Sequence, residues 1–362
     1  MKRKTTATLH LRDVIQGMKA EEIKLAARTI GFSLPSPAKK EQMAKRLESV
    51  LTQDADAVLD GLTVYELQLL CQMLDEGGCA SIPYEAANTF SLCTMKLVRD
   101  EMVDGTGDTL VLQLTLPTEV ADAFRPLASE MLATKTADGI AEVEQAAAGI
   151  LAVCGTMPFD SLIVELVRLF PEHSEGWLRM NMKRKYLFKG QSPREASHTP
   201  FAATPYLGDA SRQLFFLRQA GEQPEQYRRI DKDKAMRMGA MPQPELTTKG
   251  AKELLQAYID AYGEGEGRWR LHGAWIQAQH QFPSSMIENI LQEVCETEED
   301  ISEELVNTIR QFLSYIPRWT MYGHSLADRA KAAGVGNDKL AERLEKDYFH
   351  KGLEIDLEKY DI

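Results

Sequence analysis

Long apolar runs are what this 362-residue chain most plainly lacks. None approaches the roughly 20 residues that a bilayer-crossing helix needs, so no membrane is expected among its partners. The opening MKRKTTATLHLRDVI has a basic tip with no apolar stretch behind it, and no secretory leader is expected. Cysteine is scarce too. Cys71, Cys79, Cys93, Cys154 and Cys295 form neither a CxxC pair nor a tight framework, which argues against a zinc ribbon or disulfide scaffold and fits a reduced cytoplasm.

Catalytic signatures are missing as well. There is no HExxH, no GxSxG elbow and no GK[ST] after the glycines of GEGEGRWR, where Glu264 and Glu266 would oppose a phosphate. His272 and His280 stand too far apart for one helical turn, and the carboxylates of ETEEDISEE suit a helix start, where they match the dipole. No catalytic residue, metal ligand set or cofactor follows, so the leading expectation is a non-enzymatic protein; the rival is an enzyme whose site lies in a groove between domains, gathering His272, His324 or buried carboxylates.

What the chain has is ordinary globular composition, 44% hydrophobic and 27% charged, on a length that calls for several domains. Its charge is uneven. Through Val50 there are eleven Lys/Arg against five Asp/Glu, a surplus of six; with a net charge of -12 the remainder carries -18. Only the front end is therefore a natural contact for a polyanion. The competing reading is that this end docks on the chain's own acidic body.

Periodicity and breakers give a mainly α, multi-domain fold in four units. Residues 1–53 read as a basic helical module: Ile23, Ala26, Ala27 and Ile30 recur at helical spacing, Gly31 stops the helix, and SLPSP precedes a second helix with Met43, Leu47, Val50 and Leu51 on its apolar face. Residues 54–135 read as helix, short helix (SIPYEAANTF), longer helix (SLCTMKLVRDEMV) and a hairpin turning at DGTGDT, the order of a winged helix. Its Lys96 and Arg99 share their segment with Asp100 and Glu101, which favours packing over DNA contact. Residues 136–222 read as helical or as a second winged-helix-like unit; QAAAGILAVCG is small and apolar, suited to close helix packing. MKRKYLFKG there is a second basic island, read as a strand with Tyr186 and Phe188 in the core, or as a single-strand nucleic-acid platform. HTPFAATPYLGDASRQ reads as a linker. Residues 223–362 form a C-terminal helical domain, with a Pro-interrupted connector at MRMGAMPQPELTTKG and a helix ended by the glycines of GEGEG. Its YIPRWTMYGHSLADRA stretch reads as a structural corner anchored by Trp319, Tyr322, Gly323 and His324, with Ser325 capping the next helix.

Two resemblances rest on these residues. Ile23, Ala27, Ile30, Gly31 and Phe32, then Lys39, Lys40, Met43 and Leu47, resemble the helix–linker–helix pattern of SAP and Rho-N-terminal-like modules over about the first fifty residues. That resemblance implies DNA or RNA binding, with Lys39, Lys40, Lys45, Arg46 and Arg28 facing phosphate; many such modules instead serve as protein contacts. Trp319, Gly323, His324, Ser325 and Leu326 resemble a stretch recurring in uncharacterised bacterial proteins, some of which end in a SEC-C zinc motif. No cysteine follows Cys295, so no zinc set carries over and this resemblance implies no activity. The expected role is a weak nucleic-acid tether whose acidic body binds an unknown protein partner; the alternative is a pure protein-interaction scaffold.

Overall fold

The computed structural model describes residues 8–34, 39–83, 92–93, 95–104, 110–185, 201–204, 227–240, 243–279, 283–337 and 339–340. Among them the chain is mainly helical, with sixteen α-helices and five short strands. The first half runs α1 (Leu11–Gly17), α2 (Ala20–Ile30), α3 (Lys40–Gln53), α4 (Ala55–Asp60), α5 (Val64–Asp75), β1 (Cys79–Pro83), β2 (Arg99–Asp104), β3 (Leu110–Thr115), α6 (Thr118–Phe124) and α7 (Ala128–Ala137). The second runs α8 (Ile140–Cys154), β4 (Thr156–Pro158), α9 (Phe159–Leu169), α10 (Glu175–Arg184), β5 (Phe201–Ala203), α11 (Lys232–Ala240), α12 (Ala251–Tyr262), α13 (Glu264–Ala278), α14 (Pro283–Val294), α15 (Glu303–Tyr315) and α16 (Leu326–Ala333). No described helix is long and apolar enough to cross a membrane.

Two apolar cores organise these elements. The first joins Leu11, Ile15, Ile23 and Leu47 of the front helices to Leu59, Leu70 and Phe124, so residues 1–53 and 54–135 both contribute to it. The second runs from Ile140 to Ile316 and takes in Val64 at the start of α5. Leu132 of α7 packs against both. In the first half the strands form an antiparallel sheet of order β1-β3-β2, with Ile82 and Met102 flanking Leu112. In the second, β4 pairs antiparallel with β5, Thr156 opposite Ala203.

Local chemistry explains most boundaries. Gly31 takes φ 94°, and its N–H donates to the Ala27 carbonyl at 2.9 Å, ending α2 as a left-handed cap. Thr63 opens α5 with a reciprocal capping box: Thr63 Oγ1 accepts from the Glu66 N–H at 3.2 Å, and the Glu66 carboxylate accepts from the Thr63 N–H at 3.0 Å. Glycine also sets the closest helix crossing. A β-carbon on Gly149 of α8 would lie 1.8 Å from the Ala235 carbonyl oxygen, and one on Gly239 of α11 would lie 1.8 Å from that of Gln145. The two backbones touch.

Several expectations need correction. SIPYEAANTF does not begin as a helix: Ser81–Pro83 belong to β1, and residues 84–90 lie outside the described residues. SLCTMKLVRDEMV is not one long helix either. A turn ends at Lys96, whose φ of 57° is left-handed, with Lys96 N–H donating to Cys93 O at 3.1 Å and Leu97 N–H to Leu92 O at 3.0 Å. That paired hydrogen-bond pattern terminates a helix, and β2 follows from Arg99. MRMGA is the end of α11, not a connector, and Gly265 and Gly267 lie buried inside α13, so only Gly263 stops α12. Within the expected linker, Phe201–Ala203 form β5. MKRK closes α10, Lys185 is buried, and Tyr186 and Phe188 lie outside the described residues.

Candidate nucleic-acid interface

The front module is pinned at both ends of α1. Glu119 of α6 accepts from the Leu11 N–H at 2.9 Å and lies 3.0 Å from His10 Nδ1, satisfying the helix start. Burial raises the Glu119 carboxyl, but these hydrogen bonds outweigh it and hold the group below its ordinary value. At the other end, Lys40 Nζ donates to the Gln16 carbonyl at 3.0 Å, a cation placed on the negative end of α1. Helix α3 then presents its own start, where Gln42 Oε1 accepts from the Lys39 N–H at 3.1 Å.

The five sequence-predicted cations separate on this scaffold. Lys39, Lys45 and Arg46 are exposed. Lys39 is the extended cap residue before α3 and Arg46 lies seven residues on, with its guanidinium 5.9 Å from the centre of the Phe32 ring. Lys45 falls on another stripe of α3, flanked one turn away by Glu41 and Glu48. Lys40 is exposed but committed to Gln16. Arg28 lies in α2, and its side chain is outside the described residues. Among the described residues none of Lys39, Lys40, Lys45 and Arg46 is ion-paired.

Many cations of the body are placed differently, although Lys183, Lys252, Arg310 and Lys331 are exposed without an ion pair among the described residues. Arg168 pairs with Glu165, Arg179 with Asp160 and Glu175, Lys232 with Glu142, and Lys234 and Arg237 share Glu245. Arg268 and Arg270 pair along α13 with Glu264 and Glu266. A groove of about 320 Å³ lies beside the front module, between α1–α2 and the start of β2. Asp13, Glu22 and Asp100 line it against Lys96 and Arg99, an excess of carboxylate that repels phosphate. It gathers neither His272 nor His324, and no group of His, Cys, Asp and Glu among the described residues could hold a metal ion.

The corner at residues 316–326 is packed tightly. Trp319 is buried, its indole N–H donates to the Ala152 carbonyl at 2.8 Å, and its ring meets Trp275 edge to face at 6.3 Å. Tyr322 is left-handed at φ 57° and meets Tyr227 edge to face at 5.3 Å. Gly323, at φ 81°, allows Cys154 and Val153 to approach where a side chain would stand. The His324 N–H donates to Met321 O at 3.0 Å and its carbonyl accepts from the Arg318 N–H at 3.1 Å. Ser325 caps α16, accepting from the Asp328 N–H at 3.1 Å. These contacts tie α8 to the C-terminal helices. Comparison of the chain with family models, curated proteins and solved structures gives no match.

One ionic cluster escaped the sequence reading altogether. Lys185, Glu144, Lys135 and Asp60 meet between the two cores, Lys185 Nζ 2.8 Å from Glu144 Oε1 and Lys135 Nζ 3.5 Å from Asp60 Oδ1. The only signal was Lys185 itself, which sits in a basic run and reads there as surface.

Proposed function

We propose that this protein is a non-enzymatic, nucleic-acid-associated protein whose front helices act as a weak tether and whose acidic body binds a protein partner. The observation that carries the reading is the contrast in pairing. The exposed cations at the start and along the outside of α3 have no carboxylate partner among the described residues and stand together, while most exposed arginines of the body and several of its lysines are matched to an acid. An exposed, unneutralised ammonium or guanidinium is what releases counterions from a phosphate backbone.

Three such groups make a modest site. Each phosphate contact contributes about 0.9 to the slope of log affinity against log salt, so Lys39, Lys45 and Arg46 give a slope of roughly -3 and a Kd on the order of 10⁻⁴–10⁻⁶ M. The strand order β1-β3-β2 after α5 supports a winged-helix-like reading of residues 54–135, and the succession α8, β4, α9, α10, β5 supports a second such unit. Carboxylates along β2 and ion pairs on α9 and α10 fit these units for packing and protein contact rather than phosphate. The test is fluorescence anisotropy of the full chain with labelled DNA and RNA from 20 to 200 mM salt. Binding should weaken steeply with salt and vanish in K39E/K45E/R46E with no loss of Tm. Absence of binding at the lowest salt overturns the tether and leaves the pure interaction scaffold.

A further inference from the structure

Residues 59–64, Leu-Asp-Gly-Leu-Thr-Val, turn the chain from the end of α4 into the start of α5. This elbow straddles the boundary between the two cores: Leu59 and Leu62 belong to the first, Val64 to the second. A helix end leaves carbonyls unsatisfied and a helix start leaves N–H groups unsatisfied, and residues 61–64 are buried from water. Side chains supply both needs. Lys135 Nζ, an ammonium with three N–H groups, meets three carbonyls, those of Leu59 at 3.3 Å, Asp60 at 2.5 Å and Leu62 at 3.2 Å. Lys185 Nζ reaches the carbonyls of Leu62 at 3.1 Å and Asp60 at 3.4 Å. Glu144 accepts from the Val64 N–H at 2.7 Å through Oε2, and its Oε1 lies 2.8 Å from Lys185 Nζ.

Two ammonium groups thus face two carboxylates, since Asp60 Oδ1 lies 3.5 Å from Lys135 Nζ. The set is electrically balanced, but it is assembled from both sides of the boundary. Asp60 and Lys135 come from α4 and α7 in the first half, Glu144 and Lys185 from α8 and the end of α10 in the second. Lys185 and Glu144 are only 2% and 4% exposed, so water solvates neither. We infer that this cluster is an ionic strap that makes the two cores one cooperative unit. Neither core then unfolds without the other, and a ligand bound to either half stabilises both. Chains of several domains ordinarily lose them in turn.

The reason lies in where each group finds its solvation. The Val64 N–H and the Leu62 carbonyl are served by ions of the second half, and those ions are served by the elbow's dipoles. These bonds exist only while both cores are folded, so their free energy couples one core to the other. Deleting one member of the Lys185–Glu144 pair leaves the other charged and dry, and only parting of the cores rehydrates it. The penalty of a single deletion therefore falls on the contact between the cores rather than on the packing inside either.

Native-state hydrogen–deuterium exchange of the wild-type full chain against urea tests this directly. The slowest amides of α3 and α5 in the first core and of α8 and α12 in the second should merge into one isotherm. Two separate isotherms overturn the strap whether or not any variant folds. Urea unfolding of variants then reads the second core by fluorescence, because Trp177, Trp269, Trp275 and Trp319 all lie in the second half, and the first core by pulsed exchange over residues 67–74. In K185M and in E144Q the two curves should part by roughly 1 M urea, and in E144Q/K185M they should coincide again. K232M breaks an exposed pair with Glu142, also on α8, and should leave the curves coincident. Coincident curves in a folded K185M or E144Q, at whatever midpoint, overturn the strap, because the pair would then stabilise without coupling.

Discussion

The crossing of α8 and α11 allows a sharp test of packing. In G149A the new methyl would sit 1.8 Å from the Ala235 oxygen, 2.7 Å from the Ala235 carbonyl carbon and 2.8 Å from the Gly239 nitrogen. All three are backbone atoms in helices, so no side chain can swing aside. Ordinary non-bonded separations are about 3.5 Å, so the helices must part by roughly 1.5 Å. A gap of that size forfeits more than half the attraction of each facing atom pair, and overpacked cores lose about 1–3 kcal/mol or more. The Gln145 side chain, which donates to the Met236 carbonyl across this contact at 2.7 Å, would be pulled out of reach as well. Losing that hydrogen bond costs about 1 kcal/mol more and alanine's better helix propensity returns up to about 1 kcal/mol, leaving a net loss of about 1–3 kcal/mol. In urea denaturation this lowers the midpoint by roughly 1 M at unchanged m. G176A is the control: nothing lies within 4 Å of its β-carbon on α10, so it should raise the midpoint slightly. G239A meets the same backbone contact from the other side, and the double variant G149A/G239A should lose less than the sum, because the helices part only once. If G149A matches G176A, the two backbones are not in contact and the reasoning fails.

The remaining predictions concern charge. E144Q and K185M each leave a buried charge without its partner and should destabilise by about 3–5 kcal/mol, whereas E144Q/K185M should recover most of that, the Gln carbonyl still accepting from Val64. Additive losses in a denaturation cycle would show that the two do not act as a pair. Burial raises the Glu245 carboxyl, but bonds from Lys234 and Arg237 at 2.6 and 3.1 Å outweigh it and hold it below 4.5. A depressed carboxylate contributes stability above its unfolded value that is lost as pH falls through the folded one. E245Q should therefore lose less stability than wild type on acidification below pH 4.5, measured by Tm; superimposable acid limbs would refute the assignment.

Local stereochemistry made part of this fold readable in advance. Gly31 ends α2 because only glycine adopts φ 94° without strain, and Ser325 opens α16 because its hydroxyl reaches a free N–H three residues on. QAAAGILAVCG signalled close packing because small residues leave nothing between two backbones, though not that α11 would be the partner. The front cations were readable as charges, but Lys40 is tied to Gln16, 24 residues earlier in the chain, and no periodicity encodes that distance.

By itself, then, the sequence determined the helical character, the caps and the asymmetry of charge, since each depends on residues within a turn or two of one another. Tertiary structure alone decided the rest. Lys96 reads as mid-helix until Leu112 and Leu114 of β3 draw Arg99–Asp104 into a sheet. Lys185 reads as surface until Glu144, 41 positions earlier, and the elbow carbonyls replace its water. A buried ion is stable only where distant groups supply the solvation it gives up, and only the folded chain brings those groups together.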